Sequence, residues 1–148
     1  MVRVLITGMS GVGKSSVLRE LGERGHSVID TDYGDWTTEA GLWDDVLMGA
    51  LLGESNEVVV SGTVENQGEF YDRFDHVVLL SAPISVLLDR VRRRSTNPYG
   101  ATPAEQQEIK SNHALVEPLL RATATVEIDA TQPLDYVVDR IEELLVQP

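Results

Sequence analysis

The chain has 148 residues, of which 24 are acidic and 12 basic, for a formal net charge of −12. That length fits one domain spanning 1–148, and the acidic field repels polyanions, which argues against nucleic acid and anionic membrane surfaces as partners. No cysteine is present, so disulfides, thiolate metal sites and cysteine nucleophiles are excluded.

Residues 2–7, Val-Arg-Val-Leu-Ile-Thr, form a short apolar run suited to a strand covered on both faces. The run is too short for a secretory signal and no stretch reaches membrane-spanning length, so a cytoplasmic protein is expected. Residues 13–24 place Val17, Leu18 and Leu21 at helical spacing and stop before Gly25. Residues 27–30 read as a second strand ending in acid. Residues 35–52 carry Trp36, Leu42, Trp43, Val46, Leu47, Ala50 and Leu51 in a pattern that predicts a helix, against Gly41 and Gly49.

Residues 57–61 predict the third strand and 76–80 the fourth, followed by a helix over 83–94 with a proline near its first turn. Asn97-Pro98-Tyr99-Gly100 breaks that helix. Thr102, Pro103 and Glu105 then supply a cap, a first-turn proline and an acidic N3 residue, with Pro118 expected to kink or divide the helix they open. Residues 125–129 predict a fifth strand, and 133–146 an amphipathic helix turning Val137, Val138, Ile141, Leu144 and Leu145 inward. Strands alternating with helices imply a three-layer α/β domain with a parallel sheet, whose ligands bind at the carboxyl ends of the strands.

Between the first strand and its helix lies Gly8-Met9-Ser10-Gly11-Val12-Gly13-Lys14-Ser15, a complete G-x-x-x-x-G-K-[ST] pattern. Its glycines let backbone N–H groups turn toward phosphate oxygens, and the helix N-terminus adds a positive dipole end. Ser10, Gly11, Val12, Gly13 and Ser16 belong to this cradle. Lys14 is placed to reach the β- and γ-phosphates, and Ser15 to ligate Mg²⁺. The guanine-reading N-K-x-D segment of GTPases is absent, since no lysine follows an asparagine. ATP is the expected nucleotide.

Asp30 and Asp32 stand two residues apart where the second strand gives way to loop. Both can face one site, Asp30 serving the metal through water and Asp32 taking the proton of an acceptor hydroxyl. The same pair could instead form a turn or a helix cap. Together with the glycine loop, Val28-Ile29-Asp30-Thr31-Asp32 resembles the shikimate kinase and gluconate kinase group of P-loop proteins, within the nucleoside monophosphate kinase-like fold. The resemblance runs through most of the chain. It implies a five-stranded sheet in the order 2-3-1-4-5 and a short mobile lid at about 92–104. It also implies an adenine-facing loop at Ile128-Asp129-Ala130-Thr131-Gln132-Pro133, with Thr131 and Pro133 as contacts.

Two departures bear on the acceptor. The arginines that hold the substrate carboxylate in shikimate kinases are missing from the helix after the second strand and from Val116, and the glycine run after the third strand shrinks to Ser61-Gly62-Thr63. From Gly25 to Asp72 there is no Lys or Arg at all, while eleven acids occur. A neutral or cationic acceptor of nucleoside, sugar or amino-sugar type is therefore expected, unless those acids only solvate helix faces. Glu65, Asn66, Gln67, Tyr71 and Arg73 are candidates for its pocket, with Trp36 and Trp43 as flat surfaces or simply as core. On the lid side, Arg90 is assigned to stacking near adenine and Arg94 to phosphate, with Arg92 and Arg93 pointing elsewhere. The three histidines show no metal or triad pattern, and either a monomer or a homodimer fits. A nucleotide switch without a small-molecule acceptor is the competing class.

Overall fold

Five strands form one parallel sheet in the order β2-β3-β1-β4-β5. They are β1 (Arg3–Thr7), β2 (Val28–Asp30), β3 (Val58–Ser61), β4 (His76–Ser81) and β5 (Val126–Asp129). The helices are α1 (Lys14–Glu23), α2 (Asp45–Glu54), α3 (Ile84–Arg93), α4 (Pro103–Thr123) and α5 (Leu134–Val146), with a 3-10 helix at Gln67–Arg73. This computed structural model describes residues 2–93 and 102–146. Arg94, the turn at 97–100 and most of the expected lid lie outside the described residues.

Alternation along the central strands assigns each apolar side chain to one of two cores. Val4, Ile6, Val59 and Val78 pack with Val17, Leu18 and Leu21 of α1 and with Val137, Val138 and Ile141 of α5. Leu5, Val58, Val60 and Val77 meet Trp43, Met48, Leu52, Phe70 and Phe74 on the other face. A sheet covered on both sides explains why its strands read as continuous apolar runs. It also leaves the strand ends as the accessible edge.

The helix expected over 35–52 begins only at Asp45. Gly34 and Gly41 adopt left-handed conformations (φ 81° and 78°), and Thr37 bridges Trp43 in antiparallel fashion. The Asp44 carboxylate then accepts from the N–H groups of Val46 and Leu47 at 3.0 and 3.1 Å, a cap that fixes the start. The inward residues of α2 are Met48 and Leu52, whereas Val46 is exposed. Pro118 does not divide α4, which runs unbroken through it. The capping box at Thr102 and Glu105 forms as the spacing predicts.

At the amino ends of the strands, a charge cluster ties α1 to α5. Arg24 donates to Asp139 at 2.8 Å and also pairs with Glu142 and Glu20. His26 sits between Glu57 (3.0 Å) and Glu142 (2.8 Å). Burial works against the protonated ring, but the two carboxylates outweigh it and raise its pKa above 6.5. A raised pKa stabilises the fold fully below the unfolded value and loses that contribution as pH rises through the folded one. His26→Gln is therefore expected to flatten the decline of Tm from about pH 6.5 upward, as read by thermal denaturation at a series of pH values.

Candidate active site

The turn from β1 into α1 is built from glycines in conformations that side chains avoid. Gly11 has φ 88° and Gly13 φ 102°. A Cβ on Gly11 would stand 2.7 Å from the Leu87 carbonyl oxygen, and one on Gly8 would stand 2.6 Å from that of Leu80. Backbone from β4 and α3 thus presses the loop from behind. Gly13 caps α1 without any side-chain hydrogen bond, and the first turn of α1 carries no acid. By contrast, α2 and α4 satisfy their first N–H groups with Asp44 and Thr102. The amino end of α1 has no such side-chain cap, and its positive dipole end suits an anionic ligand.

That end opens into a cavity of about 680 Å³ lined by the loop from Ser10 to Ser16, with Asp32 and Tyr33 on one side and Arg90, Ala130, Gln132 and Leu134 on another. Lys14 Nζ donates to the carbonyls of Gly8 (2.6 Å) and Met9 (3.3 Å), folding the ammonium over its own loop. Ser15 Oγ donates to Asp30 Oδ2 at 3.0 Å. Arg90 donates through Nη1 to the Val12 carbonyl (3.1 Å) and through Nη2 to that of Ala130 (2.6 Å), joining the phosphate loop to the segment after β5.

The two aspartates are neighbours: Asp32 lines the cavity, and Asp30 stands beside it on Ser15. Thr31, between them, is buried with its hydroxyl donating to the Ser61 carbonyl at 2.8 Å and accepting from Trp43 Nε1 at 3.1 Å. Asp30 Oδ1 also accepts the Asp32 N–H at 3.0 Å, so Asp30 shapes the turn as well as meeting Ser15. Desolvation pushes the Asp32 carboxyl above the ordinary aspartate range, Lys14 opposes that shift, and Asp30 adds to it.

Several candidates make contacts within the fold. Gly8 stands behind the cavity wall, its N–H on Thr63 Oγ1 at 3.2 Å. Thr131 gives its hydroxyl (2.6 Å) and N–H (2.9 Å) to Asp129, and the wall takes Ala130, Gln132 and Leu134 rather than Thr131 or Pro133. Trp43 is 1% exposed and stacks edge-on against Phe70, so it is core. Asn66 bonds both main-chain groups of Trp43, buried Gln67 holds Thr7 and Tyr71, and Arg73 reaches the Gly49 carbonyl. Glu65 and Asn66 do border a second, open hollow with Asp44, Asp45 and Glu69, on which no base lies. Sequence reasoning missed Arg19, Tyr33 and Thr63. Arg19 was findable, because it follows Ser15 by one helical turn and so shares its face.

The donors present suit a hard divalent cation: a hydroxyl on a carboxylate, with the Ser61 hydroxyl buried nearby and unpartnered. Ser15 and Asp30 are the residues that would hold Mg²⁺.

Because the folded pKa of Asp32 is raised, its charge costs stability above that pKa and nothing below the unfolded value. Asp32→Asn should then raise Tm at neutral pH, with the gain fading as pH falls toward 4, when followed by calorimetric melting.

The same architecture recurs among solved structures. A shikimate kinase from Acinetobacter baumannii in complex with shikimate superposes with a TM-score of 0.72 at 22% identity, covering 99% of this chain and 93% of that one. A deoxyadenosine kinase from M. mycoides with bound dATP gives 0.67 at 14% identity, over 98% and 100% of the two chains. A gluconokinase from Sinorhizobium meliloti 1021 gives 0.60 at 22% identity, over 97% and 93%. No curated protein matches the chain. The family described as AAA domain matches residues 4–111, which include the phosphate loop and the Asp30–Asp32 turn, and the chain belongs to that family.

Proposed function

We propose that the protein is an ATP-dependent kinase that moves the γ-phosphate to a hydroxyl of a small neutral or cationic molecule. The observation that carries this reading is the single cavity in which the uncapped amino end of α1, Lys14 and Asp32 meet. A nucleotide triphosphate needs the first two. Transfer to an acceptor hydroxyl is served by a carboxylate beside them that can orient the hydroxyl and take its proton. The shikimate kinase, deoxyadenosine kinase and gluconokinase that share the fold are named as kinases, which supports the class.

In this reading the loop from Ser10 to Ser16 binds the phosphates, with Lys14 leaving the Gly8 and Met9 carbonyls for the β- and γ-oxygens. Ser15 and Asp30 would hold Mg²⁺, which when bound would supply positive charge to those oxygens. Asp32 orients the acceptor hydroxyl and takes its proton as that oxygen bonds to the γ-phosphorus, while the bond to the bridging β-oxygen breaks and ADP departs. Arg90 already spans the loop and Ala130, and so supports the adenine side; Arg94 is proposed for the phosphates as part of a lid over about 92–104. The absence of any Lys or Arg from Gly25 to Asp72, and from the hollow bordered by Asp44, Asp45, Glu65 and Glu69, supports an acceptor without phosphate or carboxylate. The proposed setting is a cytoplasmic one-domain enzyme.

Lys14→Ala should abolish nucleotide binding, whereas Asp32→Asn should keep binding and lower turnover by roughly 10²–10⁴-fold. The check is transfer of label from γ-labelled ATP across nucleosides, sugars and amino sugars. Label appearing only in free phosphate with every acceptor would favour a nucleotide switch.

A further inference from the structure

Ser61, the last residue of β3, is 1% exposed and its hydroxyl has no hydrogen-bond partner. In the parallel register it stands beside Asp30 of β2 and Ile6 of β1. Register partners in a parallel sheet send their side chains to the same face. That face is the one α1 covers, because Val59, two residues earlier, packs with Val17, Leu18 and Leu21, and Asp30 reaches Ser15 of α1. With neighbouring strands about 4.8 Å apart, the Ser61 hydroxyl lies within a side chain's length of the Asp30 carboxylate. Buried hydroxyls are ordinarily bonded. One left unbonded in the row of the metal-facing aspartate is placed for a partner that changes when ligand arrives.

We propose that Ser61 is a positioning residue for the nucleotide's Mg²⁺, its hydroxyl donating to the Asp30 carboxylate once that carboxylate engages the ion. The inference rests on the reading above in needing Mg²⁺ at Ser15 and Asp30. A carboxylate offers about four lone-pair sites, and Asp30 spends two on the Ser15 hydroxyl and the Asp32 N–H. The remainder can serve the ion's shell and Ser61 together. A third donor fixes the carboxylate in one orientation, as outer partners of metal ligands do. A serine achieves this without adding a third negative charge to the Asp30 and Asp32 pair.

The test is calorimetric titration of a non-hydrolysable ATP analogue at increasing Mg²⁺, with Tm measured in parallel, for wild type, Ser61→Ala and Ser61→Thr. Ser61→Ala is expected to raise the half-saturating Mg²⁺ concentration about tenfold, leave metal-free affinity unchanged and keep Tm at or above that of wild type, because it removes an unpartnered buried hydroxyl. Ser61→Thr is expected to restore the Mg²⁺ response. An unaltered Mg²⁺ response in Ser61→Ala would overturn the inference and leave the kinase reading intact. Parallel loss of Tm and metal-free affinity would also overturn it, assigning Ser61 to the scaffold. A wild-type protein indifferent to Mg²⁺ would overturn the metal assignment itself.

Discussion

Everything at the site depends on how closely the chain is pressed as it turns from β1 into α1. The Leu80 and Leu87 carbonyls leave no room for a Cβ on Gly8 or Gly11, and Gly11 and Gly13 take backbone angles that side chains resist. The turn is tight because β1 is the middle strand, with β3 and β4 on either side, and α1 must pack back on the same sheet. Given that, the amino end of α1 opens into the cavity, and Gly13 offers it no side-chain cap. The concave site follows from packing, before any catalytic residue is considered.

The second strand supplies the chemistry through simple alternation. Thr31 turns toward Trp43 and is held by the Ser61 carbonyl and the Trp43 indole, which leaves Asp30 and Asp32 on the side of Ser15 and the cavity. Trp43 thereby matters to the site without touching it, since its burial fixes the residue between the two acids. The cost is visible at Asp32, whose charge is disfavoured by desolvation and by Asp30. A carboxylate held where its charge is disfavoured is common at working sites.

The sheet order came from the family resemblance, whereas the strands, most helices and the phosphate loop were legible because each rests on strong local signals: continuous apolar strands, a capping box at Thr102, and glycines where positive φ is needed. The start of α2 was not. Trp36, Leu42 and Trp43 sit at helical spacing, yet Gly34, Gly41 and the Asp44 cap decide the backbone, and apolar spacing alone does not register that competition. The contacts of the acceptor-side polar residues were not legible for a related reason. Asn66, Gln67 and Arg73 look available in sequence, but each has a main-chain or buried partner that only tertiary contact creates. Ser61 illustrates the converse. Nothing in Ser61-Gly62-Thr63 marks the serine until register sets it beside Asp30.

The central claim is that Lys14 and Asp32 face the same γ-phosphate. Its most direct test is a crystal structure with Mg²⁺ and a non-hydrolysable ATP analogue. The account expects Lys14 Nζ to have left the Gly8 and Met9 carbonyls for the β- and γ-oxygens, with the γ-phosphate turned toward Asp32. An analogue bound away from the loop, or a γ-phosphate held in the loop but facing away from Asp32, would contradict it.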